Sequence, residues 1–139
     1  MDKSSLDYLE QIKNRFANDI FATECAQIKI LDAKPSYAKC EMKITRQHKN
    51  AVGAVMGGAI FTLADFCFAV ASNGDGRNGF SVSLSAQISF IGSAKTDTLI
   101  AESQCIKEGR STNYYIININ DDAGNNVANI CINGFKKTK

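Results

Sequence analysis

The longest apolar run of the chain, residues 57–74, predicts a helix that is buried on nearly every side. Its polar side chains are few and comprise Thr62, Asp65, Ser72 and Asn73. The run is slightly short for a membrane span and has a carboxylate near its middle. We therefore expect a helix in a protein core rather than in a bilayer.

Shorter patterns predict the other elements. Apolar residues at helical spacing predict an amphipathic helix over residues 4–17. Alternating and apolar patterns predict strands over residues 25–32, 36–45, 81–90, 97–107, 112–120 and 126–135. The segment Gly74–Gly79 is typical of a turn that ends the long helix, and Gln47–Met56 is predicted to be a loop.

Residues 81–90 show the cleanest alternation in the chain. Serines and Gln87 alternate there with five apolar residues, Val82, Leu84, Ala86, Ile88 and Phe90. Because successive side chains of a strand point to opposite faces, this pattern predicts one buried apolar face and one polar, nearly uncharged face. The polar face is either solvated or part of an interface.

The order of the predicted elements is a helix, two strands, the long apolar helix and four strands. Strands that follow one another without intervening helices favour an antiparallel sheet and an α+β fold. A helix that is apolar on most sides needs cover on most sides, which a strongly curved sheet would supply. With 139 residues, we expect one domain over residues 1–139, with an N-terminal helical segment at 1–19.

Composition excludes several classes of protein. The net charge of +2 is too small to indicate a nucleic-acid partner, and we expect no membrane partner either. Five cysteines and one histidine fit neither a disulfide framework nor a metal cluster, so we expect reduced thiols, no metal and a cytoplasmic location. The first residues lack the apolar core of a signal peptide.

Asp65 is the candidate for chemistry in the long helix. Its helical neighbours Phe61, Thr62, Phe68 and Ala69 cannot neutralise a carboxylate, which is costly to bury alone. We therefore expect the side chain to face a cavity, a neighbouring strand or another subunit. The alternative is a structural carboxylate bonded to the backbone of a nearby loop.

These residues carry a family resemblance. The chain resembles the hotdog-fold acyl-CoA thioesterases, in the branch that includes the phenylacetate-degradation thioesterases. The matching segments are His48–Gly53, Met56–Ala59 and Leu63–Asp65, with support from Ser83, Phe90-Ile91, Thr96–Leu99 and Gly109–Thr112. The resemblance extends over roughly residues 20–136.

The resemblance implies a curved antiparallel sheet around the long helix, and a homodimer or dimer of dimers with the active site at the interface. It implies acyl-CoA hydrolysis with Asp65 as general base or nucleophile and the Gly57 N–H polarising the thioester carbonyl, next to Gly58. Asn50 and Ser83 would position the carboxylate or the attacking water. Coenzyme A, which is part of the substrate rather than a cofactor, would be held by Gly109, Arg110, Ser111 and Thr112.

Met56 departs from the family pattern, in which a histidine precedes the two glycines. A thioether cannot donate a hydrogen bond to a carbonyl, so Met56 leaves open a second interpretation. In that interpretation the protein binds acyl-CoA or a similar ligand and hydrolyses it very slowly or not at all. His48 is interpreted as a loop residue outside the chemistry, and Arg110 could be an ordinary turn residue.

Overall fold

The structure, a computed structural model, describes residues 2–74 and 79–137, so most of the predicted turn Gly74–Gly79 lies outside the described residues. Helix α1 spans Lys3–Phe16 and helix α2 spans Gly57–Asn73. The strands are β1 Ile28–Lys34, β2 Tyr37–Lys43, β3 Phe80–Phe90, β4 Thr98–Glu108, β5 Thr112–Asp121 and β6 Asn126–Lys137. These two helices and six strands agree in type with the elements that the patterns predict.

Two short turns lie outside the predicted elements. Residues Phe21–Cys25 form a π-helical turn, so β1 begins at Ile28 rather than at residue 25. Residues Arg46–His48 form a 3₁₀ turn at the start of the predicted loop. The first turn leads into β1, and the second leads into the loop before α2.

The six strands form one sheet in the order β1-β2-β4-β5-β6-β3, and every neighbouring pair is antiparallel. Helix α2 contacts all six strands, and its fully buried residues, from Ile60 to Ala71, occupy about half of its circumference, whereas the face that carries Asp65 is half-buried. The predicted hotdog architecture, a curved antiparallel sheet around one buried helix, is confirmed. Among the described residues, no helix has the length and apolar character needed to cross a membrane.

Strand β3 contains a bulge that changes which side chains face α2. Ser83 pairs with Gly134 and Ser85 pairs with Asn133, so Leu84 is an extra residue in the strand. Before the bulge, Ser81 is buried and Ser83 follows it on the helix side. After the bulge, the helix side carries Ala86, Ile88 and Phe90, whose partners in β6 are Ile132, Ile130 and Ala128.

The prediction of one continuous apolar buried face over residues 81–90 is therefore wrong in two respects. The bulge exchanges the faces, which puts serines on the helix side in the first half of the strand. In addition, β3 is an edge strand, so Leu84 is 65% exposed and Phe90 is 57% exposed in one copy of the chain. A long edge strand with exposed apolar side chains is suited to pairing with another strand.

Candidate active site

Asp65 lies half-buried on α2 and accepts a hydrogen bond from the side chain of Ser83 on β3. Burial raises the pKa of Asp65 above its ordinary value of 3.8, and the negative charge of Asp19 raises it further. The hydrogen bond from Ser83 acts in the opposite direction. Asp65 thus faces a neighbouring strand, and its raised pKa makes it a stronger base than an exposed aspartate.

The N-terminus of α2 presents free backbone donors. Met56 is the N-cap residue with φ −65° and ψ 135°, and its carbonyl accepts bonds from Ala59 and Ile60. Neither Gly57 nor Gly58 donates its N–H to an acceptor within the described part of the chain. Together with the helix dipole, such N–H groups favour a negatively charged oxygen at this end of the helix.

Met56 provides no side-chain cap for this helix, and its side chain is 53% exposed. The end of the side chain, Cε, lies only 2.7 Å from the position that a Cβ on Gly58 would take. The second glycine of the pair therefore leaves room for the thioether, which covers the first turn of α2.

Asn50 organises the loop that leads to Gly57. Its carboxamide oxygen accepts from the backbone N–H groups of Val52 and Ala54, both at 3.1 Å. Its own backbone N–H donates to the carbonyl of Ala54 at 2.8 Å. The oxygen of Asn50 is thus committed to the loop, and the carboxamide NH₂ is the part of this side chain that remains for a substrate.

His48 is more than a loop residue, because it is buried with 3% exposure and both ring nitrogens are bonded. Nδ1 accepts from the backbone N–H of Thr45 at 2.9 Å, and Nε2 lies 2.7 Å from the carbonyl oxygen of Ala26. A carbonyl can only accept, so Nε2 carries the proton. The ring is therefore fully used in holding the loop, which agrees with its exclusion from the chemistry.

A cavity of about 620 Å³ opens beside Gly57. Its apolar wall includes Val55, Ile60, Phe90 and Val127. The ring of Phe90 packs directly on the glycine, since a Cβ at residue 57 would lie 2.9 Å from Phe90 Cζ. An apolar group attached to a carbonyl at the helix N-terminus would find space here.

The predicted coenzyme A residues form the turn between β4 and β5. The N–H of Gly109 donates to the carbonyl of Thr112 at 2.8 Å, and the N–H of Lys136 donates to Ser111 at the same distance. Arg110 is exposed. Because Lys136 pairs with Ser81, this turn lies at the start of β3, whereas Gly57 lies against Phe90 at its end.

One copy of the chain therefore holds the predicted site residues as three separate groups. The turn is separated from Gly57 by about nine strand residues, or roughly 30 Å. Gly57 and Asp65 are eight residues apart in one helix, which corresponds to about 12 Å along its axis. Asp65 on α2 and Ser83 on β3 are the predicted catalytic residues that interact directly across two elements of the described structure.

Asp19 and Phe90 were not singled out as site residues by the sequence. Asp19 precedes the π-helical turn and reaches Asp65 only through the tertiary fold, so no local pattern marks it. Phe90 appears in the sequence as the end of an alternating strand and in a segment that supports the family resemblance, but neither feature gives it a role at the site. Among the described residues, no group of three or more histidine, cysteine, aspartate or glutamate side chains could hold a metal ion.

A family model described as Thioesterase superfamily matches residues 52–128, more than half of the chain. The chain belongs to the thioesterase superfamily. It is 31% identical over 121 residues to an Archaeoglobus fulgidus protein named "Putative esterase", covering 86% of this chain and 77% of that one. It is 26% identical over 104 residues to Homo sapiens acyl-coenzyme A thioesterase 13, covering 74% of each.

Among solved structures, the PaaI protein of the E. coli phenylacetic acid degradation operon aligns with a TM-score of 0.80 and 25% identity. The alignment covers 93% of this chain and 96% of that one. The predictions of a hotdog fold and of a thioesterase-type hydrolase are thus confirmed.

Proposed function

We propose that this hydrolase cleaves acyl-CoA thioesters to a free acid and coenzyme A, at a site that two copies of the chain complete. Asp65 acts as general base or nucleophile, and the N–H of Gly57 binds the carbonyl oxygen. Support comes from the family, from the activity named for the human relative, and from the raised pKa of Asp65 beside Ser83.

The main observation in favour of a site shared by two copies is the distance between Gly57 and Asp65 in one copy. A thioester carbonyl must lie about 3 Å from its oxyanion donor and within hydrogen-bond reach of the base or its water. About 12 Å of helix between the two groups prevents this within one copy. A second copy has to supply one of them.

The edge strand β3 offers the means of assembly. If two copies of β3 pair antiparallel about a two-fold axis near the middle of the strand, the Ser83 half of one lies beside the Phe90 end of the other. Since Phe90 packs on Gly57, the Asp65–Ser83 pair of one copy then faces the helix N-terminus of the second. The Gly109–Thr112 turn of the first copy comes to the same side.

The chemistry follows from these positions. As a general base, Asp65 takes a proton from water while the water oxygen attacks the thioester carbon. The carbonyl oxygen becomes negative beside the Gly57 N–H, and collapse expels the coenzyme A thiolate, which is a good leaving group. As a nucleophile, the Asp65 carboxylate would instead attack the thioester carbon, break the C–S bond to release the coenzyme A thiolate, and form an acyl anhydride that water then hydrolyses.

Arg110, Ser111 and Thr112 suit the phosphate end of coenzyme A, because a guanidinium and hydroxyl groups bind phosphate oxygens. We propose no metal and no cofactor beyond the substrate itself. The reduced cysteines fit a cytoplasmic enzyme. The assembly is proposed as a homodimer or a dimer of dimers.

Complementation between two inactive variants tests the shared site. Gly57→Pro removes the N–H at the first helical position, where proline is well tolerated, and the extended backbone of Met56 suits a following proline. Gly57→Ala adds the same Cβ against Phe90 but keeps the N–H and is the control. In mixed oligomers of Asp65→Asn and Gly57→Pro, one of the two sites is intact, so thiol release from acyl-CoA should return. Mixtures that stay inactive would contradict a shared site.

Met56 favours a second candidate function, binding of an acyl-CoA without efficient hydrolysis. Its side chain covers the first turn of α2 and donates no hydrogen bond there. A panel of aliphatic and aryl acyl-CoAs with thiol detection separates the candidates. Tight binding by calorimetry without turnover of any member would favour the binding protein.

A further inference from the structure

Asn113 and Ser81 are hydrogen-bonded although they are not on neighbouring strands. Asn113 on β5 pairs with Gly134 on β6, and Gly134 pairs with Ser83 on β3. The carboxamide nitrogen of Asn113 passes over this glycine and donates to the Ser81 hydroxyl oxygen at 2.8 Å. A Cβ on Gly134 would overlap the Asn113 carboxamide oxygen, so only glycine leaves this path open.

Asn73 binds the backbone of the same serine. Its carboxamide oxygen accepts from the Ser81 N–H at 2.5 Å, and its nitrogen donates to the Ser81 carbonyl at 3.2 Å. Asn73 is the last residue of α2, the helix that carries Asp65. We call Asn73, Ser81 and Asn113 the Ser81 clamp.

The clamp acts two residues before Ser83. Ser81 and Ser83 face the helix side of β3, and the bulge at Leu84 follows directly. A slip of one residue in this segment would turn Ser83 to the outer face, away from Asp65. Because β3 is an edge strand, β6 is the single strand that pairs with it in one copy. The Ser81 clamp adds bonds from Asn73 and Asn113, which help to fix the register of β3.

The cost of this arrangement argues that it serves more than packing. Asn113 is only 3% exposed, and its carboxamide oxygen has no hydrogen-bond partner among the described residues. A buried acceptor without a partner destabilises the folded state, so an apolar side chain would be the simpler way to fill this space. The donated bond to Ser81 is what the asparagine provides.

We propose that Asn113, acting through Ser81, positions the Ser83 hydroxyl on the Asp65 carboxylate. Asn113 is then a positioning residue of the active site, more than one strand away from the reacting groups. The kinetic part of the proposal rests on the proposed function of Asp65, whereas the geometric part does not.

Kinetics test the proposal through Ser83. Asn113→Ala should lower kcat for acyl-CoA by roughly 10- to 100-fold and change KM little, because a misplaced catalytic group costs about this much. The double variant Asn113→Ala with Ser83→Ala should be no slower than Ser83→Ala alone. A further multiplicative loss in the double variant, or a single variant as fast as wild type, would overturn the proposal.

Asn118→Ala is the matched control. Asn118 lies on the same strand and makes a cross-strand bond to Asn129 at 2.6 Å, but it is exposed on the outer face. Its loss should change kcat less than about two-fold. If Asn113→Ala fails to fold, Ser81→Ala removes the acceptor with a smaller change and should give the same kinetic result.

Titration of the Asp65 carboxyl by NMR tests the geometry without any turnover. The Ser83 hydrogen bond lowers the pKa of Asp65, so Asn113→Ala should raise that pKa as Ser83→Ala does. The charge of Asp19, which also acts on Asp65, stays the same in every variant. A raised pKa in a protein that hydrolyses nothing would reject the proposed function but support the positioning. If the pKa of Asp65 in Asn113→Ala is the same as in wild type, Asn113 does not position Ser83, even if the enzyme is active.

Discussion

The backbone N–H of Met56 donates a hydrogen bond to the carbonyl oxygen of His48 at 2.8 Å. This bond ties the residue that caps α2 to the buried histidine. The adjacent bridge between Lys49 and Val55 closes the intervening loop. The position of the Gly57 N–H therefore depends on His48, although the imidazole itself faces Ala26 and Thr45.

We expect His48→Ala to reduce stability more than it affects chemistry. The change leaves the buried carbonyl of Ala26 and the partly buried N–H of Thr45 without their partner, which should lower the free energy of unfolding by about 1–3 kcal/mol. Denaturant unfolding measures this effect. Gln47→Ala removes an exposed bond to Cys25 and is the control, with a change of about 0.5 kcal/mol or less. If folded His48→Ala loses as much activity as Asp65→Asn, a direct role for the imidazole is indicated.

The fold was predictable because its elements are periodic and long. The helix at residues 57–74 is apolar on nearly every side, and the strands alternate or form apolar runs. The bulge at Leu84 could not be found in this way. Serine and apolar residues alternate without interruption through it, so the sequence carries no local mark of the exchange of faces.

The candidate site was predictable where one residue stood out from its surroundings. Asp65 is the single carboxylate in an apolar helix, and its contact with Ser83 fits the role that the resemblance implied. The contacts made by Asp19 and Asn113 depend on the register of the strands and on the path of the chain between elements. No pattern of neighbouring residues contains that information.

The pH dependence of hydrolysis should report the raised pKa of Asp65. A base must be ionised, so kcat/KM should fall with acid along a limb that lies above pH 3.8. Asp19→Asn removes a negative charge that raises this pKa and should move the limb to lower pH. Asp65→Asn should reduce the rate by about 100-fold or more at pH values above the limb, where Asp65 of the wild type is ionised. An unmoved limb in Asp19→Asn would show that another group titrates.

The raised pKa of Asp65 also affects the stability of the fold. The native state holds the Asp65 proton more tightly than the unfolded state, so stability falls as the pH rises from about the unfolded pKa through the native pKa. Asp65→Asn removes this loss. The difference in melting temperature, Asp65→Asn minus wild type, should therefore be larger at pH 7 than at pH 3.5. A larger difference at pH 3.5 would mean that the ionised carboxylate stabilises the fold.

Assembly through β3 can be tested with a charge on the bulge. Leu84 is 65% exposed in one copy, and Leu84→Asp should weaken pairing by placing a carboxylate in the interface. Sedimentation velocity at micromolar concentration should show a dimer or tetramer for wild type and a smaller species for the variant. Leu6→Asp on α1, where the side chain is 48% exposed, is the control. An active wild-type monomer would contradict the shared site.

Arg110→Ala should weaken recognition of coenzyme A rather than the chemistry. KM for acyl-CoA should rise, whereas KM for a short thioester that lacks the nucleotide should stay nearly constant. Arg15→Ala removes the same charge from the last turn of α1 and controls for the change in net charge. Equal effects of Arg110→Ala on both substrates would show that Arg110 is only a turn residue.

Met56→His tests whether the thioether weakens a working thioesterase. An imidazole at the N-cap can donate a hydrogen bond to the thioester carbonyl next to the Gly57 N–H, an interaction that strengthens as the oxygen becomes negative. The gain should therefore appear in kcat rather than in KM, and it should vanish when Asp65→Asn is added. Single-turnover and steady-state thiol release measure both quantities.

Met56→Leu separates the loss of sulfur from the gain of a donor. It keeps an apolar side chain of similar volume above Gly58, so its kcat and affinity should remain close to those of wild type. If Met56→His lowers affinity without raising kcat, the methionine shapes an apolar pocket for the acyl chain. If wild type and both variants bind acyl-CoA tightly in calorimetry but release no thiol, residue 56 does not limit the rate, and binding without hydrolysis becomes the function to pursue.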